Sequence, residues 1–423
     1  MTIFAVVGVC VGLACCLFAR VITRLRLAGP LVMVVAGIVV TSFLHEDLTE
    51  LLYASTTEHT VELILALLLF IDATEVRGGL FGGETPIAAR LLCIALPLSL
   101  IAATGLGVFL LPHTTTAVLV VVACVVVPTD LAPAASLVHD RRLPARVRRI
   151  LNVESGYNDG IVAPVFVVAL ALLGDDGEHD SVMATILHAT QSSIVAIVVG
   201  GIVGYGGGRV IRAVTARALT TAPGVRVSVV LLVFLAYGGA VTLSANGFIA
   251  AFVCGMGFHA ARTANSTLDR SELTSTEDLG ALSSMAMWYL FGATLTYLAG
   301  FGLPDWEVFV YVAAALTVVR MLPIGAALIG SNLPSRDRWA VALLGPRGTA
   351  SIVFGLLAWR AITDIDDASL VLYVMTATVA GSIAFHGFVT ESTSRRYNRD
   401  TDRSTDDPTA RRTSTLRSRT PRR

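Results

Sequence analysis

Residues 152–160 read NVESGYNDG. Two carboxylates, Glu154 and Asp159, and the amide of Asn158 stand directly before IVAPVFVVALALLG, an apolar run reaching Gly174. An apolar segment of bilayer length that opens with fixed charge fits a membrane protein. There, ionisable groups at depth mark a pathway rather than a surface.

The rest of the chain agrees. Of its 423 residues 54% are hydrophobic and only 15% charged, with a mean hydropathy of +0.73. A soluble domain of this size needs more polar surface to cover its core, so the composition predicts an all-α polytopic membrane protein. The net charge of +0 points to no nucleic-acid partner. All 31 basic residues are Arg, which hints at a bacterium of high GC content. The six cysteines lie in apolar runs without metal-ligand spacing and read as buried free thiols. With no basic stretch ahead of it, the first apolar run reads as a retained span.

Thirteen segments have the length and apolarity of spans: 2–19, 28–44, 60–76, 87–111, 115–138, 151–173, 183–208, 225–243, 246–261, 280–299, 305–328, 338–359 and 368–390. The arginines test this assignment. Connections after odd-numbered spans carry Arg20, Arg24, Arg77, Arg141, Arg148, Arg212, Arg262 and Arg336, among others, whereas Arg360 is the clear exception in an even-numbered one. By the positive-inside rule the N-terminus is outside and the C-terminus cytoplasmic. Residues 1–390 thus form a transmembrane domain, and the polar, Arg/Ser/Thr-rich 391–423 is expected to be a disordered cytoplasmic tail.

Two spans are interrupted. In the fifth, Pro128 and Pro133 bracket Thr129-Asp130; in the twelfth, Gly345-Pro346-Arg347-Gly348 falls near the middle. Proline removes a donor and clashes with the preceding turn, so each helix should break there. The breaks are seven spans apart, which sets the two halves in opposite directions. That pattern predicts an inverted-topology repeat with substrate bound where broken helices meet.

The ionisable residues at membrane depth are Asp72, Asp130, Glu154, Asp159, Arg320 and Arg347. At about 100° per residue, Glu154 and Asn158 share one face of span six, while Ser155 lies near Asp159 on another. Glu154 can therefore satisfy an arginine while Asp159 faces a cavity. Ser155, Asn158 and Asp159 make an oxygen-rich cluster that suits a hard cation. No HExxH, CxxC or Walker A motif occurs, so neither an ATP engine nor a cofactor is expected. The glycines of GGIVGYGGGR lie inside span seven, and Gly200, Gly204 and Gly208 read as a helix-packing face.

ESGYNDG in span six, PTD in a broken fifth span and GPRG in the twelfth together resemble the monovalent cation:proton antiporters of the NhaP type. The resemblance covers about residues 1–390. It implies a homodimer in a bacterial cell membrane, with a six-helix transport part moving against a dimer-forming part. It also implies that Asp159 binds cation and proton in turn, with Na⁺ (or Li⁺ or K⁺) held by Asp159, Ser155, Asn158, Asp130 and the carbonyl of Thr129. Glu154 with Arg320 resembles the family's structural ion pair. Arg347 would compensate charge at the second break, and Asp72 sits near an acidic position in span three. The chain departs from the pattern at Gly156-Tyr157 and in FIDATEVRGG. A neutral Asn158 beside one titrating carboxylate predicts electroneutral, one-for-one exchange. The rival readings are a proton-coupled carrier of another solute, such as an organic anion, and an intramembrane aspartyl protease.

Overall fold

The computed structural model of the chain describes residues 3–25, 28–43, 55–75, 83–131, 143–173, 182–263 and 268–405. Among the described residues the regular structure is helical throughout. The first helices are α1 (Ile3–Leu17), α2 (Ala19–Arg24), α3 (Gly29–Phe43), α4 (Ser55–Glu75), α5 (Thr85–Leu110) and α6 (Thr116–Val126). Then come α7 (Ala145–Ala171), α8 (Val182–Ala216), α9 (Ala222–Thr242), α10 (Gly247–Thr263) and α11 (Thr274–Ala299). The last are α12 (Trp306–Leu316), α13 (Val318–Ala327), α14 (Ser335–Leu343), α15 (Thr349–Ala361) and α16 (Ile365–Thr405).

Each of the thirteen expected segments contains helix. Among the described residues, five stretches are long and apolar enough to cross a membrane: Thr85–Leu110, Met183–Ala216, Ala222–Thr242, Trp306–Ala327 and Ile365–His386. Four apolar helices, α1, α3, α6 and α15, are shorter. Local sequence sets several of the starts. The Thr115 hydroxyl accepts from Val118 N at the head of α6, and Asn246 Oδ1 accepts from Phe248 N and Ile249 N at the head of α10.

The helices pack in two groups. In the first, α8 lies along α10, α10 along α4, and α11 along α3. Small residues allow the closest approaches: a Cβ at Gly200 would strike the Ala250 carbonyl, one at Gly204 the Cys254 carbonyl, and one at Gly208 the Ala261 methyl. The glycine spacing in span seven is therefore a packing face, as read from sequence. Gly37 on α3 and Gly292 on α11 likewise sit against each other's backbones. In the second group α6 is enclosed by α5, α7, α15 and α16, and from Val118 to Val126 all of its residues but Val120 are buried.

Three features depart from the sequence reading. The span-four helix is continuous but widens to a π-turn at Leu91–Ala95, just before Pro97, whose ring would otherwise meet the carbonyl of Cys93. Span eleven breaks at Thr317, which leaves the helical region (φ −118°, ψ −85°) while its hydroxyl donates to Ala313 O. Pro323 further along removes one ladder donor, and the break turns Arg320 inward. α16 runs on to Thr405, so residues 391–405 are helical where disorder was expected. Polar composition argued against a packed core, yet an established helix propagates until a breaker, and no Pro or Gly occurs from Glu391 to Pro408 apart from Pro408 itself. Pro133, the second half of span five and residues 406–423 lie outside the described residues.

At the charged end of the second group, Glu84 ties the start of α5 to that of α7. Its carboxylate accepts from Arg146 Nε and Nη2, both at 3.0 Å, and from Arg149 Nη2 at 3.5 Å. The Arg146 hydrogen bonds are the main cause holding this carboxyl below its ordinary value. Arg146 also donates to the side chain and carbonyl of Asn332, beyond the end of α13.

Candidate functional site

The NVESGYNDG stretch lies within α7, fully helical and almost wholly buried. Arg320 of α13 meets Glu154 as a two-pronged pair, Nη1 to Oε1 at 2.7 Å and Nη2 to Oε2 at 3.1 Å. Arg320 Nη2 also donates to the carbonyls of Val341 and Leu344, each at 3.1 Å. Those carbonyls sit at the end of α14, where the helix supplies no partner of its own. Gly345 presses directly on the guanidinium, where a Cβ would overlap it.

The end of α6 meets the break between α14 and α15. α14 stops at Leu343 and α15 starts at Thr349, with residues 344–348 between them non-helical. α6 stops at Val126, and the chain beyond it lies against that segment. Asp130 N donates to Pro346 O at 2.8 Å, and Asp130 Oδ2 accepts from Thr349 N at 2.7 Å. One carboxylate oxygen of Asp130 therefore caps the first amide of α15, where the helix dipole favours negative charge. In return, Arg347 Nε donates to Val126 O at 2.9 Å and Ser351 Oγ to Val125 O at 2.7 Å. Arg347 also donates through Nη1 to Gly345 O.

Thr129 is bound from α7. Its carbonyl accepts from Ser155 Oγ at 2.9 Å and Asn158 Nδ2 at 3.1 Å, and its hydroxyl accepts from Asn158 Nδ2 at 2.6 Å. Ser155 Oγ in turn accepts from Leu131 N at 3.2 Å. The Thr129 carbonyl, expected to face a cation, thus receives two protein donors.

Two cavities flank the NVESGYNDG stretch of α7. The larger, about 780 Å³, lies between the two helix groups. Ala145, Arg148, Arg149, Asn152, Ser155, Gly156 and Asp159 line it along one face of α7, with Asp72, Glu75, Asp130, Glu277 and Thr349 opposite. Asp159 lies 14 residues beyond Ala145, about 20 Å along the helix axis. It is 3% exposed, and its Oδ1 has no hydrogen-bond partner. Ser284 Oγ of α11 and Thr349 Oγ1 of α15, 3.0 Å apart, link the two groups at the cavity wall. The smaller cavity, about 20 Å³, lies on the opposite face of α7 against the π-turn of α5. Ser99, Glu154, Asn158, Arg320 and Arg347 line it.

The structure thus gathers Asp159, Ser155, Asp130 and Asp72 around one cavity. It separates Asn158 from them: the amide turns towards Thr129 and the smaller cavity, because consecutive helical side chains diverge by about 100°. Arg347 lines the smaller cavity and is 2% exposed, so it presents no cationic face to the larger one. The arginines that do line the larger cavity are Arg148, Arg149 and Arg270, the first two ten or more residues before Asp159 on α7. Sequence reasoning passed over Thr349, Ser351, Ser382 and His386. Only the i, i+4 spacing of Ser382 and His386 on one helix face could have drawn attention to the last two.

Comparison with known proteins follows from this geometry. The sequence profile described as "Sodium/hydrogen exchanger, transmembrane" matches residues 10–395. The K(+)/H(+) antiporter NhaP of Alkalimonas amylolytica is 24% identical over 265 residues, 62% of this chain. That match spans 44% of the relative's own length. The sodium proton antiporter MjNhaP1 of Methanocaldococcus jannaschii has a similar fold. One structure of it gives a TM-score of 0.76 at 18% identity, covering 93% of this chain and 97% of that one. A second, from electron microscopy, gives 0.69 at 18% identity, covering 94% and 98%.

Proposed function

The chain belongs to the sodium/hydrogen exchanger family, and on that footing we propose that it exchanges a monovalent cation for H⁺, with Asp159 as the shared carrier. The observation that carries this reading is Asp159 itself: a buried carboxylate with an unpartnered oxygen, lining a large cavity on the open face of α7. An unpaired carboxylate at that depth is costly, and either a proton or a cation neutralises it. Competition for one carboxylate makes exchange obligatory, and the neutralised form crosses the barrier more readily than the bare anion.

Na⁺ is the cation we propose first, with Li⁺ and K⁺ as alternatives, since the two relatives above are named for different ions. Asp159, Ser155 and Asp130 supply oxygens to it, while Asn158 and Thr129 brace them from behind. Asp72 adds negative potential to the same cavity. Glu154 and Arg320 form a structural pair, and Arg347 balances charge at the crossing. Exchange is one-for-one and electroneutral.

In this reading the chain crosses the membrane thirteen times, with spans five and twelve discontinuous and the N-terminus outside. The large cavity then opens to the cytoplasm through Arg148, Arg149 and Arg270. α5–α7 and α12–α16 form the transport part, and the remaining helices form the surface of a homodimer in the cell membrane.

Inverted vesicles energised with a proton gradient test this. Addition of Na⁺, Li⁺ or K⁺ should collapse the gradient for the wild type and leave it intact for Asp159→Asn. A folded Asp159→Asn protein with near-normal exchange would sink the assignment.

A further inference from the structure

We propose that Ser382 and His386 on α16 are positioning residues that hold the 344–348 segment, and through it Asp130, in the geometry cation binding requires. This inference rests on the exchange reading above.

Arg347 N donates to Ser382 Oγ at 2.7 Å, and Gly345 N donates to His386 Nε2 at 3.2 Å. Ser382, His386 and Arg347 are each less than 5% exposed. The match is geometric. Amides two residues apart on an extended chain share one edge, about 6.6 Å apart. Side chains four residues apart on a helix are about 6 Å apart along its axis. Pro346, between the two amides, has no N–H to leave unpaired. Its carbonyl accepts from Asp130 N at 2.8 Å. Position is thus transmitted from α16 to the segment and from the segment to Asp130, which lines the cavity of Asp159.

The hydrogen bonds also fix the histidine tautomer. Gly345 N–H points at Nε2, so that nitrogen keeps its lone pair and the proton resides on Nδ1, 3.0 Å from Ser382 O. The charged groups around this ring are Arg347 in the segment, Arg320 on α13 and, paired to Arg320, Glu154 on α7. A second ring proton would add a cation beside two guanidinium groups and abolish the acceptor for Gly345. The network therefore works with a neutral ring. A side chain that accepts at that point without charge should replace it.

The test uses the full-length protein in two assays. Proteoliposomes give the cation concentration for half-maximal exchange and the maximal rate. Hydrogen–deuterium exchange in lipid nanodiscs reports on peptides covering residues 344–348. His386→Ala and the milder Ser382→Ala should raise the half-saturating cation concentration on the order of tenfold, with a smaller loss of maximal rate, because ligands are displaced rather than removed. Amide exchange at 344–348 should accelerate in both. His386→Gln and Ser382→Thr retain neutral acceptors and should restore both readouts. Thr376→Ala, which removes a hydroxyl bonded to α16's own backbone, should change neither. Folded Ser382→Ala with wild-type half-saturation and unaltered amide exchange would overturn the proposal, as would a Gln variant as defective as the Ala one. A wild type that moves protons with none of the three cations would defeat the exchange reading instead. Amide exchange would still report on the positioning.

Discussion

Asn158 and Asp159 are consecutive in α7 yet open onto different cavities, Asn158 with Glu154 and Arg320, Asp159 with Ser155 and Asp130. The amide braces Thr129 and does not line the large cavity. Asn158→Asp should therefore weaken exchange by setting a carboxylate against the Thr129 carbonyl, at a cost of about 1–3 kcal/mol. It should not introduce a second titrating group into the large cavity. Exchange by this variant in proteoliposomes should stay insensitive to an imposed voltage. A rate that follows the voltage would place residue 158 in the cation path.

Asp130 has two separable tasks, capping α15 and facing the cavity. Asp130→Asn retains an oxygen for Thr349 N but loses the charge. It should stay folded with a raised half-saturating cation concentration. Asp130→Ala should in addition lose about 1 kcal/mol of stability, the usual worth of a helix cap. Thermal melts of the two variants beside their exchange kinetics check the separation.

The Glu154–Arg320 pair is buried on both sides, at 11% and 5% side-chain exposure. Removing one partner leaves an uncompensated charge and should cost about 3–5 kcal/mol. Glu154→Ala is expected to lower the melting temperature sharply. Pairing it with Arg320→Met should recover part of the loss, as a double-mutant cycle would show.

Glu84 sets a pH window. Its carboxyl is held below its ordinary value by Arg146. Its stabilising contribution is therefore complete above the unfolded-state value of about 4.3, and it fades as pH falls through the lower folded value. Melting temperatures of the wild type and Glu84→Gln should converge on acidification through that range and differ most near neutrality. A gap that stays constant with pH would refute this.

Much of the site was legible because helical geometry is regular. The angular argument placed Glu154 with Asn158 and Ser155 with Asp159, and the cavities divide the four in that way. Grouping Asn158 also with Asp159 as a cation cluster followed composition rather than angle, and there the reading parted from the structure. The break at Gly345–Gly348 was legible because proline and glycine act locally, as was the end of α6 just before Pro128. The break at Thr317 was not, since it combines a hydroxyl bonded to Ala313 O with a proline six residues away. The π-turn before Pro97 shifts hydrogen bonds without ending the helix, so it leaves no mark in hydropathy. Ser382 and His386 act on amides 35 and 41 residues away, a relation that depends on tertiary packing alone.

The crossing of the segment after α6 with the break between α14 and α15 also has a mechanical meaning. Each strand of the crossing donates to the other: Asp130 N to Pro346 O in one direction, Arg347 Nε to Val126 O in the other. Such a joint is stiff in shear, because displacing either strand strains bonds running both ways. The boundary between the helix groups carries scattered side-chain contacts instead, Ser284 with Thr349, Asn152 to Glu75 O, and Tyr373 to Leu298 O and Gly302 O. In the exchange proposed above, an ion seated beside Asp130 would ride with the joint as cargo, its coordination undisturbed, and any sliding would fall along that boundary.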